Sequence, residues 1–243
     1  MRKAKLFAKE VDLCAAFIKA VGPDWTVFAE TGGWDILLVR KRDGFQIGIE
    51  AKLRLNAEVI NQALEEYAWN VTGPGPDCRA ILVPEDATLG LSRLCAYVGL
   101  VVIKMHGAHR HRDRFAPRLP KVEDSHFSEW PEWAPTKRHP LPEYIPDVAA
   151  GAPAPIRLTQ WKIGALRLQA IIEDKGFITR EDFKMARVDH RRWVPSGWLE
   201  VKGGRYVKGT SFPDFAAQHP KVFEQIKQDM LEGKRKTEQG VLL

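Results

Sequence analysis

Apolar and polar positions follow two periods along the first hundred residues. From Lys9 to Val21 the apolar residues Val11, Cys14, Ala15, Ile18 and Val21 recur at helical spacing, which predicts an amphipathic helix stopped by Gly22-Pro23. Two apolar runs follow, Trp25–Ala29 and Trp34–Val39, separated by Thr31-Gly32-Gly33, and a third, Phe45–Ala51, comes after Lys41-Arg42-Asp43-Gly44. Asp-Gly between apolar runs signals a hairpin with a two-residue turn. Residues 56–70 read as a helix with Asn56 as its N-cap, and Thr72-Gly73-Pro74-Gly75-Pro76 breaks it. A strand at Arg79–Val83, a helix near Leu91–Val98 and a strand at Leu100–Met105 complete the order α-β-β-β-α-β-α-β. That order predicts an α/β domain, a mixed sheet with helices on its faces.

The pattern is lost after residue 112. Nine of the 16 prolines fall between Arg114 and Ile156, a density that prevents regular ladders and helices. Periodicity returns in a helix over 159–173 with Trp161, Leu166, Leu168 and Ile172, and in a second helix opened by Thr179-Arg180-Glu181-Asp182. Trp198–Val201 and Arg205–Lys208 then flank Lys202-Gly203-Gly204 as a tight hairpin, and helices followed by such a hairpin predict a winged helix. Trp161, Trp193 and Trp198 are expected in its core. The expected organisation is therefore an α/β domain at 1–112, a proline-rich connector at 113–156, a winged-helix domain at 157–212 and a helical tail at 213–243.

Charge adds a direction to this division. Residues 1–105 hold 13 basic and 13 acidic residues, so the remaining 24 basic and 18 acidic residues place the whole net charge of +6 in the second half. A neutral module beside a basic one suggests an anionic partner. No apolar run approaches the roughly 20 residues needed to cross a bilayer. The basic start Met1-Arg2-Lys3-Ala4-Lys5 is not followed by the apolar stretch of a signal peptide. Three scattered cysteines, Cys14, Cys78 and Cys95, suit reduced thiols in a cytoplasm.

The chemistry is concentrated in the hairpin from Trp34 to Lys52. A two-residue turn at Asp43-Gly44 would pair Leu37 with Glu50 and Asp35 with Lys52, making Asp35 and Glu50 diagonal neighbours roughly 7–8 Å apart. Two carboxylates at that spacing suit one hard divalent cation, and a lysine beside it can orient or deprotonate a water or offset charge on phosphorus. An ordinary cross-strand ion pair with an exposed Glu at a strand end would use the same residues. Their context decides between the two. Gly33-Trp34-Asp35 followed by Ile49-Glu50-Ala51-Lys52, between an N-terminal helix and a following helix, resembles the PD-(D/E)XK nuclease superfamily. The resemblance covers roughly residues 9–105. It implies a restriction-endonuclease-like core that hydrolyses phosphodiester bonds with Mg²⁺ or Mn²⁺, with Asp35 and Glu50 as metal ligands and Lys52 as the catalytic lysine. It also implies a metal-side carboxylate at Glu10 and a site-holding Gln62, as in RecB-like and VRR-NUC-like branches. The first motif lacks its proline, and Tyr67 stands one position beyond the tyrosine of the RecB-like pattern.

Nucleic-acid contacts are expected from Lys184, Arg187, Arg191 and Arg192 near the recognition segment and from Lys202, Arg205 and Lys208 on the wing. The run His106, His109, Arg110, His111, Arg112 and Arg114 has no carboxylates or cysteines at ligand spacing, and reads as a solvated, phosphate-facing loop. The expected function is a metal-dependent nuclease acting on DNA, with RNA left open as the substrate, a homodimer as the candidate assembly, and no membrane partner. The alternative is a non-catalytic DNA-binding or regulatory protein that uses the same fold as a scaffold.

Overall fold

The computed structural model describes residues 5–69, 73–87, 90–107, 113–123, 129–153 and 156–240, and the side chains of all of these except 65–69 and 234–240. The chain divides into two compact units, Met1–Pro155 and Ile156–Leu243.

The first unit is a mixed six-stranded sheet with helices on both faces. In chain order its elements are α1 (Glu10–Ala20), β1 (Trp25–Thr31), β2 (Trp34–Arg40), β3 (Gln46–Ala51), α2 (Ala57–Trp69), β4 (Cys78–Pro84), α3 (Ser92–Tyr97), β5 (Leu100–Met105) and β6 (Phe115–Ala116). Spatial order follows chain order. β1, β2 and β3 are antiparallel, β3, β4 and β5 parallel, and β6 antiparallel to β5. The parallel centre is mainly apolar because both faces are covered, with Gln46, Glu50 and Arg79 as buried exceptions. Leu13, Cys14 and Phe17 of α1 pack on Ile36, Leu38, Ile47, Ile49 and Leu82. Val59, Ile60 and Ala63 of α2 pack on Leu37, Val39, Ile81 and Val83 from the other side. Each buried Leu, Ile or Phe contributes about 1.5–3 kcal/mol. The buried stripe of α1 is rotated from the one read in the sequence: Ala15 is exposed while Leu13 and Phe17 are fully buried, since the larger side chains take the core positions.

The β2–β3 register differs from expectation by two residues. Ile36 pairs with Ile49 and Val39 with Gln46, and the Arg40 amide donates to Phe45 O at 2.8 Å. The turn thus holds four residues, Lys41 to Gly44. The Asp43 carboxylate accepts from Arg40 Nε (2.9 Å), Arg40 Nη2 (2.7 Å) and the Phe45 amide (3.1 Å), which fixes the wider loop. One step beyond the Ile36–Ile49 pair, this register sets Asp35 opposite Glu50. A slip of two preserves sheet faces and changes only the cross-strand partners.

The proline-rich segment belongs to the first unit rather than linking two modules. Prolines deny it a repeating ladder, and single bonds to the core replace one. Trp130 is buried and donates from Nε1 to Arg118 O at 2.8 Å. Trp133 donates from its amide to Asp77 O (2.7 Å) and from Nε1 to Gly99 O (2.9 Å). The His139 backbone exchanges two 2.9 Å hydrogen bonds with the Gln46 side-chain amide.

The second unit holds α4 (Gln160–Lys175), α5 (Arg180–Ala186), a one-turn 3-10 helix (His190–Arg192), the hairpin β7 (Leu199–Lys202) and β8 (Arg205–Lys208), α6 (Phe215–Gln218) and α7 (Pro220–Gly240). Thr159 caps α4, and Thr179 with Asp182 forms a reciprocal capping box on α5. A β-bridge joins Ile178 to Tyr206. Trp193, Phe183, Trp198, Phe215 and Tyr206 form an aromatic core with ring centroids 5.3–5.8 Å apart. Trp161 stacks at its rim and stays 40% exposed. Among the described residues no helix is long and apolar enough to cross a membrane.

Candidate functional site

Three elements bring the charged residues of the first unit together. Asp35 opens β2 immediately after the Gly32-Gly33 turn, Glu50 lies near the end of β3, and Lys52 follows that strand with its amide donating to Leu82 O at 3.0 Å. Glu10 begins α1 with Asp12 in the same turn, where carboxylates suit the helix dipole. Asp35 is held in place from behind. The preceding Trp34 lies flat over Gly48, where an added Cβ would come within 2.3 Å of the indole. Its Nε1–H donates to His139 Nε2 at 3.2 Å. Burial, and secondarily the Arg79 charge, hold His139 below its ordinary pKa, so the ring keeps the lone pair that this bond needs.

Glu10, Asp35 and Lys52 line an open cleft of about 410 Å³ together with Lys9, Val11, Leu53 and the segment Gly151–Pro153. Asp35 Oδ2 accepts from the Ala51 amide at 2.8 Å, tying β2 to the end of β3. Lys52 Nζ lies 3.3 Å from Glu10 Oε2. Glu50 is only 9% exposed. The buried Cys14 thiol reports on this cluster from below. Burial pushes its pKa up, and the carboxylates of Asp35, Glu30, Glu10 and Glu50 push it further. For Lys52, burial acts downward, but the Glu10 charge and hydrogen bond, with Asp35 and Glu50, carry its pKa above 10.5. Lys52 is therefore an ammonium at neutral pH. In this arrangement it is a cation that donates a hydrogen bond to Glu10.

Glu30 was not singled out by sequence. It is buried at 8% exposure, and its backbone adopts φ 52°, a left-handed conformation that costs a non-glycine residue on the order of 1–2 kcal/mol. Its Oε1 accepts from the Gly151 amide at 2.9 Å. Nothing in the local sequence marks it, because its partner Gly151 lies more than a hundred residues away.

The other expected residues fall elsewhere. Gln62 is exposed on α2 and is not among the residues lining the cleft. The Tyr67 side chain and residues 108–112, with His109, Arg110, His111 and Arg112, lie outside the described residues. His106 Nδ1 pairs with Glu85 Oε2 at 2.8 Å. Among the described residues, no three His, Cys, Asp or Glu side chains stand together at metal-ligand spacing. In the second unit Lys184, Arg187, Arg191, Arg192, Lys202, Arg205 and Lys208 are all exposed. Arg205 stacks on Phe177 at 4.1 Å, Lys208 on Phe212 at 5.3 Å, and Lys202 pairs with Glu200 at 3.1 Å. Arg191 and Arg192 sit on a 3-10 helix of three residues, too short to lie along a groove as a recognition helix. Comparison with known proteins gave no match to a family model, to a curated protein or to a solved structure.

Proposed function

We propose that this protein is a divalent-metal-dependent phosphodiester hydrolase of the PD-(D/E)XK type, acting on nucleic acid, most simply DNA. The observation that carries the reading is the cleft itself, where Glu10, Asp35 and Lys52, distant in sequence, meet beside the buried Glu50 at the edge of an apolar core. Charges so placed are costly without a compensating role. The donor set suits a hard cation, being carboxylate oxygen throughout, and its combined field is felt by both Lys52 and Cys14. Asp35 and Glu50 would hold Mg²⁺ or Mn²⁺, with Glu10 at the margin. When bound, the cation would supply Lewis-acid stabilisation of phosphate charge and a more acidic water.

The protein's own groups do the rest. Hydrolysis forms a P–O bond from water and breaks one to a sugar oxygen, which leaves with a proton. The Lys52 ammonium offsets charge growing on the phosphoryl oxygens. Glu10 holds Nζ at the cleft mouth, and the Asp35–Ala51 bond fixes the hairpin end on which the geometry depends. In the second unit, the order of two helices and a hairpin suits a winged-helix module. Its short 3-10 turn favours phosphate contact by exposed cations over insertion of a helix.

Incubating the purified chain with single- and double-stranded DNA and with RNA, with Mg²⁺ or Mn²⁺ and then with chelator, tests this. Divalent-dependent cleavage that disappears in Glu50→Ala is expected. Nucleic-acid binding without cleavage by the wild-type chain would favour the scaffold alternative.

A further inference from the structure

We infer that Glu30 is a positioning residue whose carboxylate latches Gly151, so that residues 151–153 stand as a fixed wall of the cleft. The latch takes its functional meaning from the hydrolase reading, though its existence can be tested without it. β1 carries Glu30 next to β2, and the register that pairs Ala29 with Ile36 and Thr31 with Trp34 sets it beside Asp35. Its left-handed backbone, φ 52°, interrupts an otherwise extended strand. Strain of this kind persists only where the surroundings over-determine it, and here the Glu30–Gly151 bond is one such determinant.

Gly151 is held from its other side as well. It adopts φ 71°, and a Cβ there would lie 2.9 Å from Cys14 Sγ and 3.4 Å from the Glu10 carbonyl carbon. The backbone is thus pressed against the first turn of α1 while Glu30 holds its amide. Ala150 is 3% exposed, and Val148 packs on the same core as α1. With its approach anchored in this way, the chain delivers Gly151, Ala152 and Pro153 to the cleft wall facing Asp35 and Lys52. The Glu30–Gly151 bond joins this wall to β1 of the sheet, and through it Glu30 sets where the wall stands. A buried Glu beside other carboxylates could instead serve through its charge, and glutamine separates the two roles by keeping the acceptor oxygen while removing the charge.

The test uses the full chain with Glu30→Gln, Glu30→Ala and Glu30→Gly, the last of which accepts the left-handed backbone without strain and so guards against simple misfolding. Amide hydrogen exchange at Gly151 is read without metal, with the amides of β4 as the internal reference. Protection should persist in Glu30→Gln and fall by about tenfold or more in Glu30→Ala and Glu30→Gly while β4 stays unchanged. On a cleavable oligonucleotide, Glu30→Ala should raise KM more than it lowers kcat, and Glu30→Gln should restore KM. Unchanged exchange at Gly151 in both Glu30→Ala and Glu30→Gly would overturn the latch, as would a Gln variant that exchanges as fast as the Ala variant. Absence of any cleavage by the wild-type chain would overturn the hydrolase reading alone, and the exchange data would still decide the latch.

Discussion

The two units handle charge in opposite ways. At the cleft of the first unit Asp35, Lys52, Glu10 and Glu30 are partly or wholly buried and engaged: Asp35 with Ala51, Lys52 with Glu10, Glu30 with Gly151. In the second unit the candidate phosphate-contacting cations are exposed, and Arg205, Lys208 and Lys202 lie against aromatic rings or a surface carboxylate. Exposed pairs of that kind contribute about 0–1 kcal/mol and need no special cause. Engaged, buried charges do, and on the proposed reading the first unit would carry the chemistry and the second the phosphate affinity.

The largest expected effect is at the proposed metal ligands. Asp35→Asn and Glu50→Ala should each reduce cleavage to background while the thermal transition remains. Asp35→Asn is the better probe, because Asp35→Ala would also leave the Ala51 amide without its acceptor, a loss of about 1–3 kcal/mol in stability. Cleavage at the wild-type rate in either variant would erase the contrast between the units.

The next effect lies behind the site. Gly48→Ala places a methyl group inside the volume of Trp34 and should cost about 1–3 kcal/mol by overpacking, visible as a lowered denaturation midpoint. It should also displace Asp35 and depress activity, which a substitution of similar cost in the aromatic core of the second unit would not do.

A pH effect of intermediate size follows from the thiols, all three of which lie in the first unit. Burial pushes Cys78 from 9.0 up to about 12, and Cys14 higher still. Above pH 9 the unfolded chain loses protons that the folded chain retains, so stability falls as pH rises. The slope is about 1.4 kcal/mol per pH unit for each thiol held neutral. Lys52, also raised, adds to the loss above 10.5. Amide exchange measured at pH 8 and at pH 10 should show the first unit weakening while the second holds; equal weakening of both would refute the assignment.

How much of this was legible in sequence varies with the range of the interaction. The element order of the first unit and the Thr179 capping box follow from local periodicity and capping chemistry, and both are present. The hairpin register was misread because Asp43-Gly44 resembles a two-residue turn, whereas the Asp43 carboxylate clamps Arg40 and widens it to four. The correction changes the site, since Asp35 then faces Glu50 directly. The packing of the proline-rich segment depends on His139, Trp130 and Trp133 finding partners far away in the chain, and no periodic signal encodes that. Glu30 and Gly151 belong to the same class.

The smallest effect is expected on the exposed cations. Each phosphate contact removed should lower the log–log salt slope of binding by roughly 0.9. Because Arg191 and Arg192 occupy a single turn, replacing both by Ala should weaken binding by about as much as replacing Lys202 and Lys208. A much larger loss at the arginines would mean that the 3-10 segment enters a groove after all.

Calorimetric titration of Mn²⁺ into the full chain tests the central claim that the engaged carboxylates of the cleft are metal ligands. Binding should be seen in the wild type, lost in Glu50→Ala and in Asp35→Asn, and retained or tightened in Lys52→Ala, where the competing ammonium is gone. Binding that survives Glu50→Ala unchanged, or that disappears only with Lys52, would contradict it.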